Sequence, residues 1–234
     1  MKLEICANSY QSVINAEMGQ ADRIELCSEL SVGGITPSYG LLKKVSEEIT
    51  IPVHVLIRPR SGNFYYTEDE FQLMKSNIKL CKELGFNGIV SGVLNTDNSI
   101  EMDRTSELIA LAKPLSFTFH RAFDCVSNPK KALEKLIDLK VDRILTSGLQ
   151  AKAENGIMLL KELQKIAKDS LIILPGSGIH VKNAHLFKDA GFKEIHTSAS
   201  KISSEEKSIF FGNNPQTVSD TKTIKEILKV IINA

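Results

Sequence analysis

The sequence predicts an α/β fold, a single (β/α)8 barrel of the TIM type, and three observations point to it. Short β-branched runs alternate with amphipathic stretches from end to end, the pattern of repeated βα units around a parallel sheet. The strand-like runs number eight, which closes a barrel, whereas a doubly wound sheet needs fewer strands and a reversal of order. No linker or shift in composition interrupts the 234 residues before about residue 200, so one domain over 1–234 is the economical reading.

Taken in order, the strands are predicted at 2–6, 23–28, 52–58, 88–93, 116–121, 143–147, 171–176 and 194–198. Between them, YQSVINAEMGQ, SYGLLKKVSEEI, EDEFQLMKSNIKLCKELG, SELIALA, NPKKALEKLIDLK, MLLKELQKIAK and VKNAHLFKDAG place apolar residues at helical spacing. Thr67 before an acidic turn and Asn128 before Pro129 read as helix starts, and Gly85 and Gly191 as helix ends. Residues 201–220 are polar and helix-poor, and IKEILKVII beyond them predicts a final helix covering the barrel.

Composition narrows the function classes. With 42% hydrophobic residues the chain can build a sizeable core, and 29 Lys and Arg against 28 Asp and Glu leave a net charge of +1. No global field recruits nucleic acid or an anionic membrane, so ligands must be recognised locally. The opening LEICA is strand-like, without the basic and apolar segments of a signal peptide, and no apolar run reaches spanning length. A cytoplasmic location is the expectation. The four cysteines, at 6, 27, 81 and 125, form no CxxC pair and read as free thiols or soft-metal ligands in a reducing compartment. The oligomeric state stays open, a homo-oligomer included.

Ligand sites in this fold lie at the carboxyl ends of the strands. The first two strands repeat a doublet, Glu4-Ile5-Cys6 and Glu25-Leu26-Cys27. With period-two alternation, Ile5 and Leu26 facing the helices would turn Glu4, Cys6, Glu25 and Cys27 into the barrel. Neighbouring strands lie about 4.8 Å apart, close enough for two thiols to share a two-coordinate soft ion, for which Cu(I) is the best match. The same closeness would permit a disulfide, against which the compartment argues.

Strand three places Arg58 on the inner face at its end, with Arg60 in the following loop. Strand five ends at His120 and Arg121, and Asp124 lies where it could orient or pair with either cation. Several charges gathered at one barrel end are costly unless each is paired or used. Ser147, Gly176, Gly178 and His196 sit in small polar segments after the last strands, where barrels hold anions on backbone N–H groups.

The stretches RIELCSELSVGGITPSYG, IRPRSGNFYY, TFHRAFD, DRILTSG, LPGSGI and EIHTSAS stand in an order and spacing that resemble the CutC family from residue 3 to about residue 200. The resemblance implies a (β/α)8 barrel, a cytoplasmic protein with a role in copper homeostasis, and Cu(I) bound through Cys6 and Cys27. Ser61 and Asn63 depart from the family pattern, which has a Gly and an acid there. A second reading remains beside copper binding: an enzyme acting on a small anionic, sugar- or phosphate-bearing metabolite. In it Arg58 and Arg60 hold the anion, Glu4 or Glu25 acts as base, and His120 polarises or protonates. No organic cofactor is indicated.

Overall fold

The computed structural model describes residues 1–204 and 215–232. All eight predicted strands are present: β1 Lys2–Ala7, β2 Arg23–Leu26, β3 Val53–Leu56, β4 Gly88–Ser91, β5 Ser116–Phe119, β6 Arg143–Thr146, β7 Ile172–Pro175 and β8 Glu194–Thr197. Helices α1 Tyr10–Met18, α2 Tyr39–Glu48, α3 Glu68–Glu83, α4 Met102–Ala112, α5 Pro129–Asp138, α6 Ile157–Ala167 and α7 Ala184–Asp189 follow the first seven strands. Short 3-10 turns cover Leu30–Val32 and Arg121–Cys125.

The sheet runs β7-β6-β5-β4-β3-β2-β1-β8, with every pairing parallel. A further parallel bridge between Gly176 and His196 joins the two ends, so the sheet rolls into a nearly closed barrel. The helix signals hold: Thr67 and Glu70 form a reciprocal capping box, and the Asn128 side chain accepts from the Lys131 N–H ahead of α5. Gly85 and Gly191 adopt φ of 78° and 77°, the left-handed turn that ends a helix.

Alternation along the strands separates two packing layers. Leu3, Ile5, Ile24, Leu26, Val53 and Val55 belong to the main core between sheet and helices. Cys6, Cys27, Leu56 and Val90 form a separate small cluster within the barrel, with Leu30 against it. Gly34 closes over this cluster at φ +84°, where a Cβ would lie 2.7 Å from Leu56 Cδ2 and 3.4 Å from Cys27 Cβ.

The two doublets, however, do not sit level. Cys6 is opposite Glu25 and Glu4 opposite Arg23, so β2 is offset by two residues relative to the expected pairing. Strands in a closed barrel are tilted and staggered, and an even offset is the one that keeps the same residues facing inward.

The C-terminal region differs from the sequence reading. Ser200–Ser204 (β9) and Gln216–Ser219 (β10) pair as an antiparallel ribbon in place of an irregular loop. Their Ser- and Thr-rich sequences bury only Ser219, so no hydrophobic alternation announces them. Residues 205–214 of the predicted loop, and 233–234, lie outside the described residues. The final helix, α8 Thr221–Ile232, packs beside α1 and α7 as a member of the outer ring and does not lie across the barrel end. Among the described residues no helix is long and apolar enough to cross a membrane.

Candidate site at the carboxyl ends of the barrel strands

The barrel interior is unusually charged. Arg23 on β2 pairs with Glu4 on β1 and with Glu194 on β8, and Glu194 also accepts from Arg143 Nε at 2.9 Å. Glu4, Arg23 and Glu194 are all buried. Burial alone would keep Glu4 protonated, but Arg23, then His196 and His54, outweigh it and hold its carboxyl well below the usual range. Beside this network His54 is buried with an unpartnered Nδ1, and desolvation lowers its pKa to about 4.

Higher in the barrel, toward the strand ends, four groups meet. Cys6 Sγ touches Cys27 Sγ at 3.6 Å and lies 3.7 Å from Glu25 Oε1. His196 Nδ1 is 2.7 Å from Glu4 Oε1 and 4.0 Å from Glu25 Oε2, and that second Glu25 oxygen has no hydrogen-bond partner among the described residues. The Cys27 contact, then burial and the nearby glutamates, raises the Cys6 thiol well above its ordinary pKa. Burial and the charge of Glu4 push Glu25 up against the pull of His196. For His196 burial opposes the charge, but Glu25 and the Glu4 hydrogen bond prevail and raise it.

A cavity of about 290 Å³ opens above this cluster, lined by Cys6, Glu25 and His196 below and by Arg58, Phe64 and His120 on one wall. His120 Nδ1 accepts the Ala122 N–H, so the neutral ring carries its proton on Nε2, which has no partner among the described residues. Burial and neighbouring Arg58 lower its pKa to about 3, and its ring packs 4.9 Å from that of Phe64.

Arg58 pairs with neither Glu4 nor Glu25: its Nη1 donates to the carbonyls of Val32 and Gly34 and its Nη2 to that of Gly62, and among the described residues its Nε has no partner. The loop carbonyls converge on the guanidinium because the segments after β2 and β3 fold back over the strand ends. Arg60 turns away from the cavity to Glu70, at 2.5 Å, and to loop carbonyls. Gly176 donates its N–H to the Thr146 carbonyl, extending the β6–β7 pairing, and has none left for an anion. Gly178 does line the cavity, as does Arg121, which also binds Asp124 and Ser147.

Asp124 and Ser147 brace the wall from behind. The Asp124 carboxylate accepts from the hydroxyls of Thr146 and Ser147, the N–H groups of Ser147 and Leu149, and Arg121. Asp124→Ala should therefore leave several donors unpaired and cost about 2–4 kcal/mol, measurable by urea denaturation.

Arg23, Glu194 and Arg143 were not singled out from the sequence. Their signal was present: Arg23 shares its face with Glu25 in RIEL and Glu194 shares its face with His196 in EIHT.

Two donor sets share Cys6. With Cys27 it forms an all-sulfur pair suited to a soft monovalent ion; with Glu25 and His196 it places S, O and N donors within 4.8 Å of one another. The chain is a TIM-type barrel whose buried thiols, carboxylates and imidazoles lie below a cavity at the strand ends, the end at which ligand sites of this fold are built. The sequence model of the CutC family matches residues 1–201, and the chain belongs to that family. A CutC family protein of Salmonella typhi is 50% identical over 198 residues, 84% of this chain and 76% of the relative. One from Salmonella newport is 49% identical, covering 84% and 79%. The crystal structure of CutC from Streptococcus agalactiae, which bears the name copper homeostasis protein, superposes with a TM-score of 0.80 at 32% identity, covering 85% of this chain and 98% of that one. Thiamine phosphate pyrophosphorylase of Pyrococcus furiosus, at 13% identity and a TM-score of 0.63 over 98% and 95%, shares the fold alone.

Proposed function

We propose that the chain serves copper homeostasis in the cytoplasm by holding Cu(I) between Cys6 and Cys27. The observation that carries this reading is the 3.6 Å approach of the two sulfurs inside the barrel, shielded by Leu30, Leu56 and Val90. Thiolates select soft cations, and an aliphatic surround excludes water and harder competitors. The copper name of the Streptococcus agalactiae relative agrees. With metal–sulfur bonds of about 2.3 Å, a linear bridge needs sulfurs about 4.6 Å apart, so loading separates them by about 1 Å. Because the Cys27 contact, burial and the neighbouring acids keep the Cys6 thiol protonated, uptake releases protons. Affinity should fall as pH falls, by about tenfold per unit for each proton released.

Competition for Cu(I) against a chelator, under reducing conditions, tests the reading. Replacing both Cys6 and Cys27 with Ser should abolish high-affinity binding while Cys81→Ser, buried in α3, leaves it intact. Unchanged affinity in the double variant would remove the proposal.

The enzyme reading keeps one specific observation in its favour: Glu25 Oε2, Arg58 Nε and His120 Nε2 are buried, unpartnered and carried by residues that line one cavity. A small anionic metabolite with oxygen acceptors and a hydroxyl would satisfy all three. Under that reading His120→Ala lowers turnover by ~10²–10⁴-fold and alters metabolite profiles while loss of Cys6 is mild, and copper tolerance tracks His120 and not the cysteines.

A further inference from the structure

We infer that Cys6, Glu25 and His196 form a second donor set, sharing Cys6 with the thiol pair but not Cys27, that takes a borderline divalent cation of the Zn²⁺ or Co²⁺ type and leaves a coordination position open to the mouth cavity. Each residue offers one donor atom, all within 4.8 Å of one another, and all three side chains are buried. The Cys6 Sγ to Glu25 Oε1 separation is 3.7 Å, close to the spacing of neighbouring ligands on one ion with bonds of about 2.0–2.3 Å.

The surroundings complete such a centre. Glu4 engages His196 Nδ1 at 2.7 Å and so fixes the ring, as in the carboxylate–histidine arrangement typical of zinc sites. Glu25 Oε2 has no partner among the described residues, and a cation supplies one. A Cys6 thiolate and a Glu25 carboxylate together balance a dication, while Glu4 is already matched by Arg23. A three-donor protein set with a fourth position free is the arrangement of catalytic, as opposed to structural, zinc.

All three residues line the cavity and Cys27 does not. The free position therefore faces that space, where Arg58 Nε and His120 Nε2 lack acceptors. A water or a small carboxylate on the ion brings oxygen acceptors into the cavity that these two donors wall. The inference does not rest on the copper reading; it shares Cys6 with it and parts from it at Cys27.

Titration of the reduced full chain with Co²⁺, followed by visible absorption and competed with Zn²⁺, tests the site. The expected result is one cobalt per chain with a thiolate-to-cobalt band, perturbed by added acetate at the open position. Cys6→Ser, Glu25→Gln and His196→Gln should each weaken Co²⁺ by at least ~10-fold, whereas Cys27→Ser should change it by less than about 2-fold while losing Cu(I). Circular dichroism melts confirm that each variant folds. Pulsed EPR of the cobalt-loaded wild type, which needs no variant, should detect an imidazole nitrogen on the metal. Absence of the thiolate band in the wild type, loss of Co²⁺ in Cys27→Ser equal to that in Cys6→Ser, or no imidazole coupling would overturn the inference. Failure of Cu(I) binding alone would not.

Discussion

Arg23→Ala is expected to destabilise the fold by about 3–5 kcal/mol, the largest stability effect of any single replacement at this site. Its guanidinium is buried and is the partner of Glu4 and Glu194 on the neighbouring strands β1 and β8. Removing it leaves carboxylates in the interior with their main counter-charge gone. Burial already works against the ionised form of Glu4, and Arg23 is the largest influence opposing that cost. Glu194 retains Arg143 and is partly protected, so Glu4 carries most of the loss. Urea denaturation of wild type and variant reads the difference; a change below about 1 kcal/mol would mean that the interior hydrates or rearranges around the gap.

Acid should unfold the protein well before most carboxylates are protonated, because two buried histidines resist charging. The folded-state pKa is about 4 for His54 and about 3 for His120, against an ordinary value near 6.5. Below that ordinary value the unfolded chain binds protons that the folded chain refuses, so stability falls as pH falls from about 6.5 toward 3 to 4. The two shifts correspond to losses on the order of 3 and 5 kcal/mol when fully developed, comparable to the stability of a typical domain. His196 acts in the opposite sense: its raised pKa adds stability that is present below its unfolded pKa and lost as pH rises through the folded value. Chemical denaturation between pH 7 and pH 4 should show the decline, and His54→Gln should flatten part of it. A pH-independent stability over this range would contradict the burial of both rings.

The eight βα units were legible because each strand alternates hydrophobic outer residues with polar inner ones, and each helix carries its own apolar face. The same alternation placed Glu4, Cys6, Glu25, Arg58 and His120 inside the barrel. What alternation does not encode is stagger: the two-residue offset of β2 separates the doublets and makes Arg23, not Glu25, the neighbour of Glu4. Nor could strand periodicity reveal where a long side chain ends. Arg58 begins on the inner face but finishes on loop carbonyls, and Arg60 follows its loop to Glu70 at the start of α3. The β9–β10 ribbon was hidden because its strands bury almost nothing.

Cu(I) held by the thiols of Cys6 and Cys27 can be examined at the metal itself. X-ray absorption of the copper-loaded reduced protein should give two sulfur scatterers per copper in the wild type and lose them when both residues are Ser. Exposed Cys125 and buried Cys81 remain in that variant as internal controls for adventitious thiol binding. Copper bound through nitrogen and oxygen only, or two sulfurs persisting without Cys6 and Cys27, would contradict the account.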